Sequence, residues 1–236
     1  MNMSVSAYYD DIYHWKDYKQ ESEDVLSWIR RYQPEAKTLL DVACGTGGHM
    51  VFFQEAMEEV VGLDLDPPSL EVARKKMPGV SLIQGDMRAF DLGRRFDALT
   101  CLFSAIGYVH DYGELEQSLR CFAAHLEPGG VLVLEGWMSP EDMKPDGVWM
   151  HLVDQPELKI ARLNTIQIQG NVSSMTLHHL IGTPEGVRYA AQDHRLVLFE
   201  REEYRAAIRN AGLTLVDEPD GLMKRNTFVA QASSGP

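Results

Sequence analysis

The chain has 236 residues, 44% of them hydrophobic and 24% charged, with a formal net charge of −13. That length fills one core and falls short of two ordinary domains of about 150 residues each, while the negative charge repels polyanions and argues against nucleic acid as a partner. No apolar run approaches the roughly 20 residues needed to cross a bilayer, and "MNMSVSAYYDD" has no basic stretch leading into an apolar one, so a cytoplasmic protein without a membrane partner is expected.

The first half alternates strand and helix patterns. Thr38 to Val42 reads as a strand, Gly48 to Met57 as a helix, Val60 to Leu65 as a strand, and Pro67 to Met77 as a helix opened by proline. A strand from Val80 to Gln84 and one from Phe96 to Phe103 follow, then a helix from about Tyr112 to Leu126 closed by "EPGG", and a strand from Val131 to Leu134. Near-continuous apolar strands with short connections predict a parallel sheet covered by helices on both faces. Pro140, Pro145 and Gly147 mark a loop, after which Val148 to Phe199 tends to alternate apolar and polar residues, as inserted antiparallel strands do. "EREEYRAAIRNAG" reads as a helix, "LTLVDE" and "NTFVAQA" as strands, and the tail "SSGP" as disordered. Cys44, Cys101 and Cys121 are odd in number and widely spaced in apolar surroundings, which favours reduced thiols over disulfides or a zinc site; no metal is expected.

The stretch "TLLDVACGTGGHMVFF" joins a buried strand to a glycine turn and a helix start. A dinucleotide site there would show G-x-G-x-x-G; Gly45 and Gly47 keep the first spacing, but Met50 fills the third glycine position, so NAD fits poorly. The pattern is instead Asp41-x-Ala43-x-Gly45-x-Gly47, with Asp64 ending the second strand and Asp86 following the third. Taken singly, a G-x-G is as readily a plain tight turn, and Asp86 a helix cap or turn residue.

This ordered series resembles the class I S-adenosylmethionine-dependent methyltransferases. The resemblance implies their Rossmann-like α/β fold and S-adenosylmethionine as cofactor. Asp41, Ala43, Gly45 and Gly47 would then hold its methionine end, Asp64 the ribose hydroxyls and Asp86 the adenine amino group. Leu65 and Met87 are assigned to the adenine faces, although both residue types serve equally as core, and Leu102, at the close of the fourth strand, would border the methyl donor. The sulfonium methyl is already activated, so the protein's task is to align donor and nucleophile in a dry pocket.

A narrower likeness runs through "TLLDVACGTG", "GDMRAF", "FDALTCLFSAIGY", "FAAHLEPGGVLVLE" and "DHRLVLFEREEYRAAIRNAGL". These resemble the N,N-dimethyltransferases of dTDP-linked 3-amino deoxysugars of the desosamine and mycaminose type, which implies a small-molecule, nucleotide-sugar substrate, N-methylation and a homodimer. "YYDDIYHWKDY" resembles that family's tyrosine-rich lid, with Tyr9 toward substrate and Tyr13 toward cofactor, though such spacing also describes one packed helical face. Arg225 corresponds to an arginine that meets the nucleotide diphosphate, its alternative being a surface charge beside Lys224. Trp137, Arg162 and His178 are further substrate candidates, the last two as ready to face solvent on strand alternation alone. Tyr108, where the family commonly has histidine, and His110 are candidates to orient the amine or pass its proton to water. The implied organisation is a lid over 1–35, a cofactor-binding core over 36–138, inserted strands over 139–200 forming a substrate wall or dimer surface, and core-completing elements over 201–236. Two alternatives remain at this level: a different small amine or hydroxyl acceptor, and a non-catalytic partner protein that binds the cofactor.

Overall fold

A computed structural model describes residues 5–143, 147–222 and 225–233. The loop marker Pro145, Lys224 and the tail from 234 onward lie outside those residues. Two sheets organise the chain. The larger has seven strands: β1 (Thr38–Val42), β2 (Glu59–Asp64), β3 (Ser81–Gln84), β4 (Phe96–Cys101), β5 (Leu126–Glu135), β10 (Leu213–Asp217) and β11 (Thr227–Ala232). Their order is β10-β11-β5-β4-β1-β2-β3, parallel through the five from β5 to β3, with β11 antiparallel to β5 and β10 antiparallel to β11.

The helices are α1 (Tyr9–Ile12), α2 (Tyr18–Tyr32), α3 (Met50–Ala56), α4 (Pro67–Lys76), α5 (Tyr112–Ala124) and α6 (Arg201–Asn210). They cover both faces, which is why the strands read as apolar at nearly every position. On β1, Leu40 and Val42 enter a cluster with Leu119 and Phe122 of α5 and Tyr204 and Ile208 of α6. Leu39 turns the other way, to Val25 and Ile29 of α2 and Phe53 of α3. Helix starts follow their caps: Asp66 accepts from the Ser69 N–H ahead of Pro67 and Pro68, and Asp111 from that of Glu114.

Several boundaries differ from the sequence reading. "EPGG" belongs to β5, whose span opens at Leu126, and Gly129 takes φ 79° within it. Strand β4 stops at Cys101 because Phe103 and Ser104 turn into the left-handed region, φ 53° and 60°. The segment expected as a lid divides: α2 is a core helix, while the 3-10 turn Val5–Tyr8 and α1 lie over the site.

The second sheet is a meander of β6 (Val148–Asp154), β7 (Lys159–Gln169), β8 (Val172–Thr183) and β9 (Gly186–Val197) in sequence order. Along these strands Ile160, Arg162, Leu177, His179, Ile181 and His194 share the inner face, and Met150, Leu163, His178, Leu180 and Tyr189 the outer one. Val5, Tyr8 and Ile12 pack against Val153, Ile160 and Ile181, tying the N-terminal segment to the inner face.

Candidate active site

A cavity of about 440 Å³ opens at the carboxyl ends of β1, β2 and β4. The strand order reverses between β1 and β4, and such a point leaves a crevice where ligands of open α/β sheets bind. The N-terminal segment roofs the crevice and the inner face of the meander walls it.

On one side the wall is acidic. Asp41 is 3% exposed and accepts a 2.7 Å bond from Thr100 Oγ1; burial pushes its pKa up to about 7, with the neighbouring Asp64 adding to the rise. Asp64 accepts from the Gly45 N–H at 2.7 Å and from the Asp66 N–H at 2.8 Å, so its carboxylate clamps the glycine turn onto the end of β2. Burial raises its pKa, and those backbone bonds oppose the rise. Ala43 is left-handed, φ 58°, a strained state for a residue with a Cβ and one typical of functional turns. A Cβ added at Gly45 would have no atom within 4 Å, so the space above this turn is open. Asp86 lines the same side, held at both oxygens by Arg88 at 2.6 to 3.2 Å, and that guanidinium keeps its pKa below the ordinary carboxylate value. Leu65 is 62% exposed at the rim, an apolar surface ready to be covered. Met87 and Leu102 complete this side.

The opposite side is cationic and aromatic. Arg225 donates to Glu135 Oε1 at 3.2 Å and to Ser104 Oγ at 3.1 Å, between the rings of Phe103 and Trp137. Glu135 is fully buried and also takes the Phe103 N–H at 2.6 Å, which holds the left-handed turn after β4. Arg225 is therefore charge-compensated within the protein. Arg162 is not: it is 6% exposed, its Nε has no hydrogen-bond partner among the described residues, no carboxylate there pairs with it, and it rests 5.0 Å from the Tyr13 ring centroid. His179, beside it on β8, has an Nδ1 with no partner among the described residues, and burial followed by Arg162 brings its pKa down to about 4. His194, Gln192 and Tyr108 stand on the same side.

Overhead, Tyr9 and Tyr13 line the cavity with their centroids 4.5 Å apart. The roof is tied down by Ser6 to Asp66 at 3.1 Å and by Asp10, which accepts from Thr46 and Lys76 at 2.7 Å each.

Three expected site residues lie outside the lining. His110 is exposed and turned to Glu114 at 3.1 Å, in a surface group with Arg88. His178 lies on the outer face, its Nδ1 2.6 Å from Tyr189 Oη, and its neighbour His179 takes the inward position. Gly47 does not face the cavity; with φ 78° it turns the chain against α4, where an added Cβ would come 2.3 Å from the Met77 methyl. Conversely, His179, His194, Gln192 and Phe103 line the cavity without having been singled out.

The donor set fits S-adenosylmethionine: a run of carboxylates faces the place for a cation, beside an open glycine turn and an uncovered leucine. A model of the family described as methyltransferase domain matches residues 39–130. The chain is 38% identical, over 95% of its length and 89% of the relative's, to a dTDP-3-amino-3,6-dideoxy-alpha-D-glucopyranose N,N-dimethyltransferase of Streptomyces fradiae. It is 40% identical, over 91% of each chain, to a dTDP-3-amino-3,4,6-trideoxy-alpha-D-glucopyranose N,N-dimethyltransferase of Streptomyces venezuelae. Among solved structures, Streptomyces venezuelae DesVI superposes with a TM-score of 0.93 at 38% identity, covering 99% of this chain and 100% of that one. CalS10, an amino pentose methyltransferase from Micromonospora echinaspora solved with S-adenosylmethionine bound, gives 0.86 at 40% identity, covering 99% and 98%.

Proposed function

The chain belongs to the S-adenosylmethionine-dependent methyltransferases, in the family of the sugar N,N-dimethyltransferases it matches along nearly its whole length, and we propose that it methylates the amino group of a dTDP-linked amino deoxysugar. The observation that carries this reading is the polarity of the cavity. Asp41, Asp64 and Asp86 suit a cationic donor, and Arg162, whose Nε has no partner among the described residues, suits with Arg225 an acceptor's diphosphate. A guanidinium presents paired N–H groups that suit phosphate oxygens, and Arg225 keeps Nε and Nη2 free of the two bonds described above.

When bound, the cofactor supplies a methyl group on a sulfonium. The protein's own share is to bind, orient and exclude water. Tyr9 and Tyr13 close the roof; Asp64 and Asp86 would accept ribose and adenine donors, Leu65 and Met87 would cover the adenine, and Leu102 with Tyr108 would border the transfer point. Alignment of this kind supplies several kcal/mol of barrier reduction, on the order of 7 to 11 in favourable cases.

Calorimetry with S-adenosylmethionine and its demethylated product, followed by mass spectrometry after incubation with dTDP-amino sugars, free amines and hydroxyl compounds, tests the reading. Two successive 14-dalton additions to the dTDP-amino sugar alone are expected, about 14 Da being the mass of the CH2 that replaces hydrogen by methyl. Methylation of only the free amines or alcohols refutes the acceptor, and cofactor binding without turnover refutes catalysis.

The outer face of the meander supports a homodimer. Met150 and Leu152 on β6, Leu163 on β7, Leu180 on β8 and Tyr189 on β9 lie in adjoining registers and are each at least 39% exposed. Sedimentation should give twice the chain mass, reduced to one chain by Leu180→Asp. The thiols of Cys44, Cys101 and Cys121 are free and support the cytoplasmic reading.

A further inference from the structure

One contact in the cavity joins residues that neither motif nor spacing brought together. Tyr108 lies on the 3-10 turn Ala105–Tyr108 that follows β4, and His194 lies on β9; Tyr108 Oη and His194 Nδ1 are 2.6 Å apart. Tyr108 lines the cavity together with Asp64, Tyr13 and Arg225. The other ring nitrogen of His194, Nε2, is buried and has no partner among the described residues.

A bond between a phenol and an imidazole has two directions, and the tautomer and protonation state of the histidine together select between them. A neutral imidazole protonated at Nε2 accepts at Nδ1, so the phenol must donate to it. An imidazolium, or a neutral ring protonated at Nδ1, donates from Nδ1, so the phenolic oxygen accepts and its hydrogen points elsewhere. The charged and titratable groups around His194 are Arg162 on β7, His179 on β8, Tyr108 on the turn, and the adjacent Asp193, whose carboxylate already accepts from Thr176 at 2.6 Å. Burial is the first cause and Arg162 the second that lower the His194 pKa, and together they outweigh Asp193, so the ring is neutral at neutral pH.

We propose that His194 is a positioning residue for the transfer step: by accepting the phenolic proton of Tyr108 it turns the lone pairs of Tyr108 Oη into the cavity, where they accept an N–H of the substrate amine. This rests on the amine reading above. With one N–H directed at Tyr108, the nitrogen's own lone pair is left to form the N–C bond while the C–S pair stays on sulfur; the product leaves as an ammonium, and no proton passes along the Tyr108–His194 bond. Protonating His194 reverses the bond. The phenol then donates into the cavity and competes for the lone pair that must attack.

The first test needs no turnover. Histidine 15N NMR on the free protein should show His194 as the Nε2–H tautomer, titrating below the ordinary value of about 6.5; an Nδ1–H tautomer overturns the proposal. Kinetics supply the second. Tyr108→Phe and His194→Ala should each lower kcat by about 10- to 100-fold, as misplacement of a reacting group does, with the KM for S-adenosylmethionine unchanged and no further loss in the double variant. His194→Asn, whose amide oxygen can accept in place of Nδ1, should recover most of that loss. The ratio of wild-type to His194→Asn kcat should be flat at high pH and fall as pH drops through the His194 pKa, because the substrate's own ammonium titration is common to both. A pH-independent ratio, or additive losses in the double variant, overturns the proposal. A wild-type enzyme inactive on every dTDP-amino sugar refutes the substrate reading instead, and the tautomer still decides this one.

Discussion

Replacing Arg162 by methionine keeps most of the apolar stem and removes a buried cation, and the reasoning above requires opposite effects on stability and on substrate binding. In the free protein Arg162 is 6% exposed, its guanidinium unpaired with any carboxylate among the described residues and resting 5.0 Å from the Tyr13 ring centroid. A desolvated ion costs several kcal/mol, and a cation–π contact returns only about 1 to 2 kcal/mol. Arg162→Met should therefore leave the melting temperature unchanged or raise it by about 2 to 4 °C, the shift that about 1 kcal/mol gives in a chain of this size. Binding moves the other way. Charge-assisted hydrogen bonds to a phosphate contribute about 1.5 to 3 kcal/mol, so the KM for a dTDP-amino sugar should rise by about 10- to 150-fold, with no change in cofactor affinity. Against the free amino sugar, which has no phosphate, variant and wild type should differ by less than about threefold, the scatter expected of a lost neutral contact. Differential scanning calorimetry and steady-state kinetics with the two acceptors measure all of this. A lower melting temperature with an unchanged KM for the nucleotide sugar would show Arg162 to be structural and refute the argument.

Two further outcomes follow from the cofactor side. Burial raises the Asp41 pKa to about 7, above the roughly 3.9 of an unfolded aspartate; the folded state binds the extra proton, so this contribution to stability is fully present below about pH 4 and is lost as pH rises to about 7. A cation placed beside Asp41 favours the carboxylate, so calorimetric binding of S-adenosylmethionine near pH 6.5 should release up to about one proton, read from its dependence on buffer ionisation enthalpy and absent in Asp41→Asn; an enthalpy independent of buffer contradicts the placement. Gly45→Ala and Gly47→Ala both force a Cβ into left-handed backbone, at about 1 to 2 kcal/mol each, and thermal melts should show the larger loss for Gly47→Ala, whose Cβ also meets the Met77 methyl. Only Gly45→Ala should weaken cofactor binding by more than tenfold, on the order of the 1.4 kcal/mol of one lost contact, because Gly47 meets Met77 rather than the cavity; equal affinity losses would refute that division.

Much of the site was legible because it lies on parallel strands whose ends are marked locally. Asp41, Asp64 and Asp86 each stand at or just past the carboxyl end of an apolar run, and successive ends of a parallel sheet converge on one edge whatever the rest of the chain does. The failures share a different cause. In "TLHHLIG" the two histidines occupy opposite faces, and period-2 alternation would identify the inner one if the outer face were polar. It is not: Leu177 is inward and Leu180 outward, so the pattern has no sign and alternation alone does not single out the cavity's His179 from His178. His110 follows Tyr108 by two positions but belongs to the cap region of α5, where Glu114 and Arg88 draw it to the surface.

By itself the sequence determined the α/β order, the family and the acidic half of the cavity, since these depend on short-range periodicity and on residues fixed to strand ends. Tertiary structure decided the acceptor half. Tyr108 and His194 are 86 positions apart, and Arg225 reaches Glu135 across 90. Which inward side chains of the meander meet which turn of the core depends on strand register and on the packing of Val5, Tyr8 and Ile12 beneath it. A register shift of a single residue would have presented the opposite face of every one of those strands.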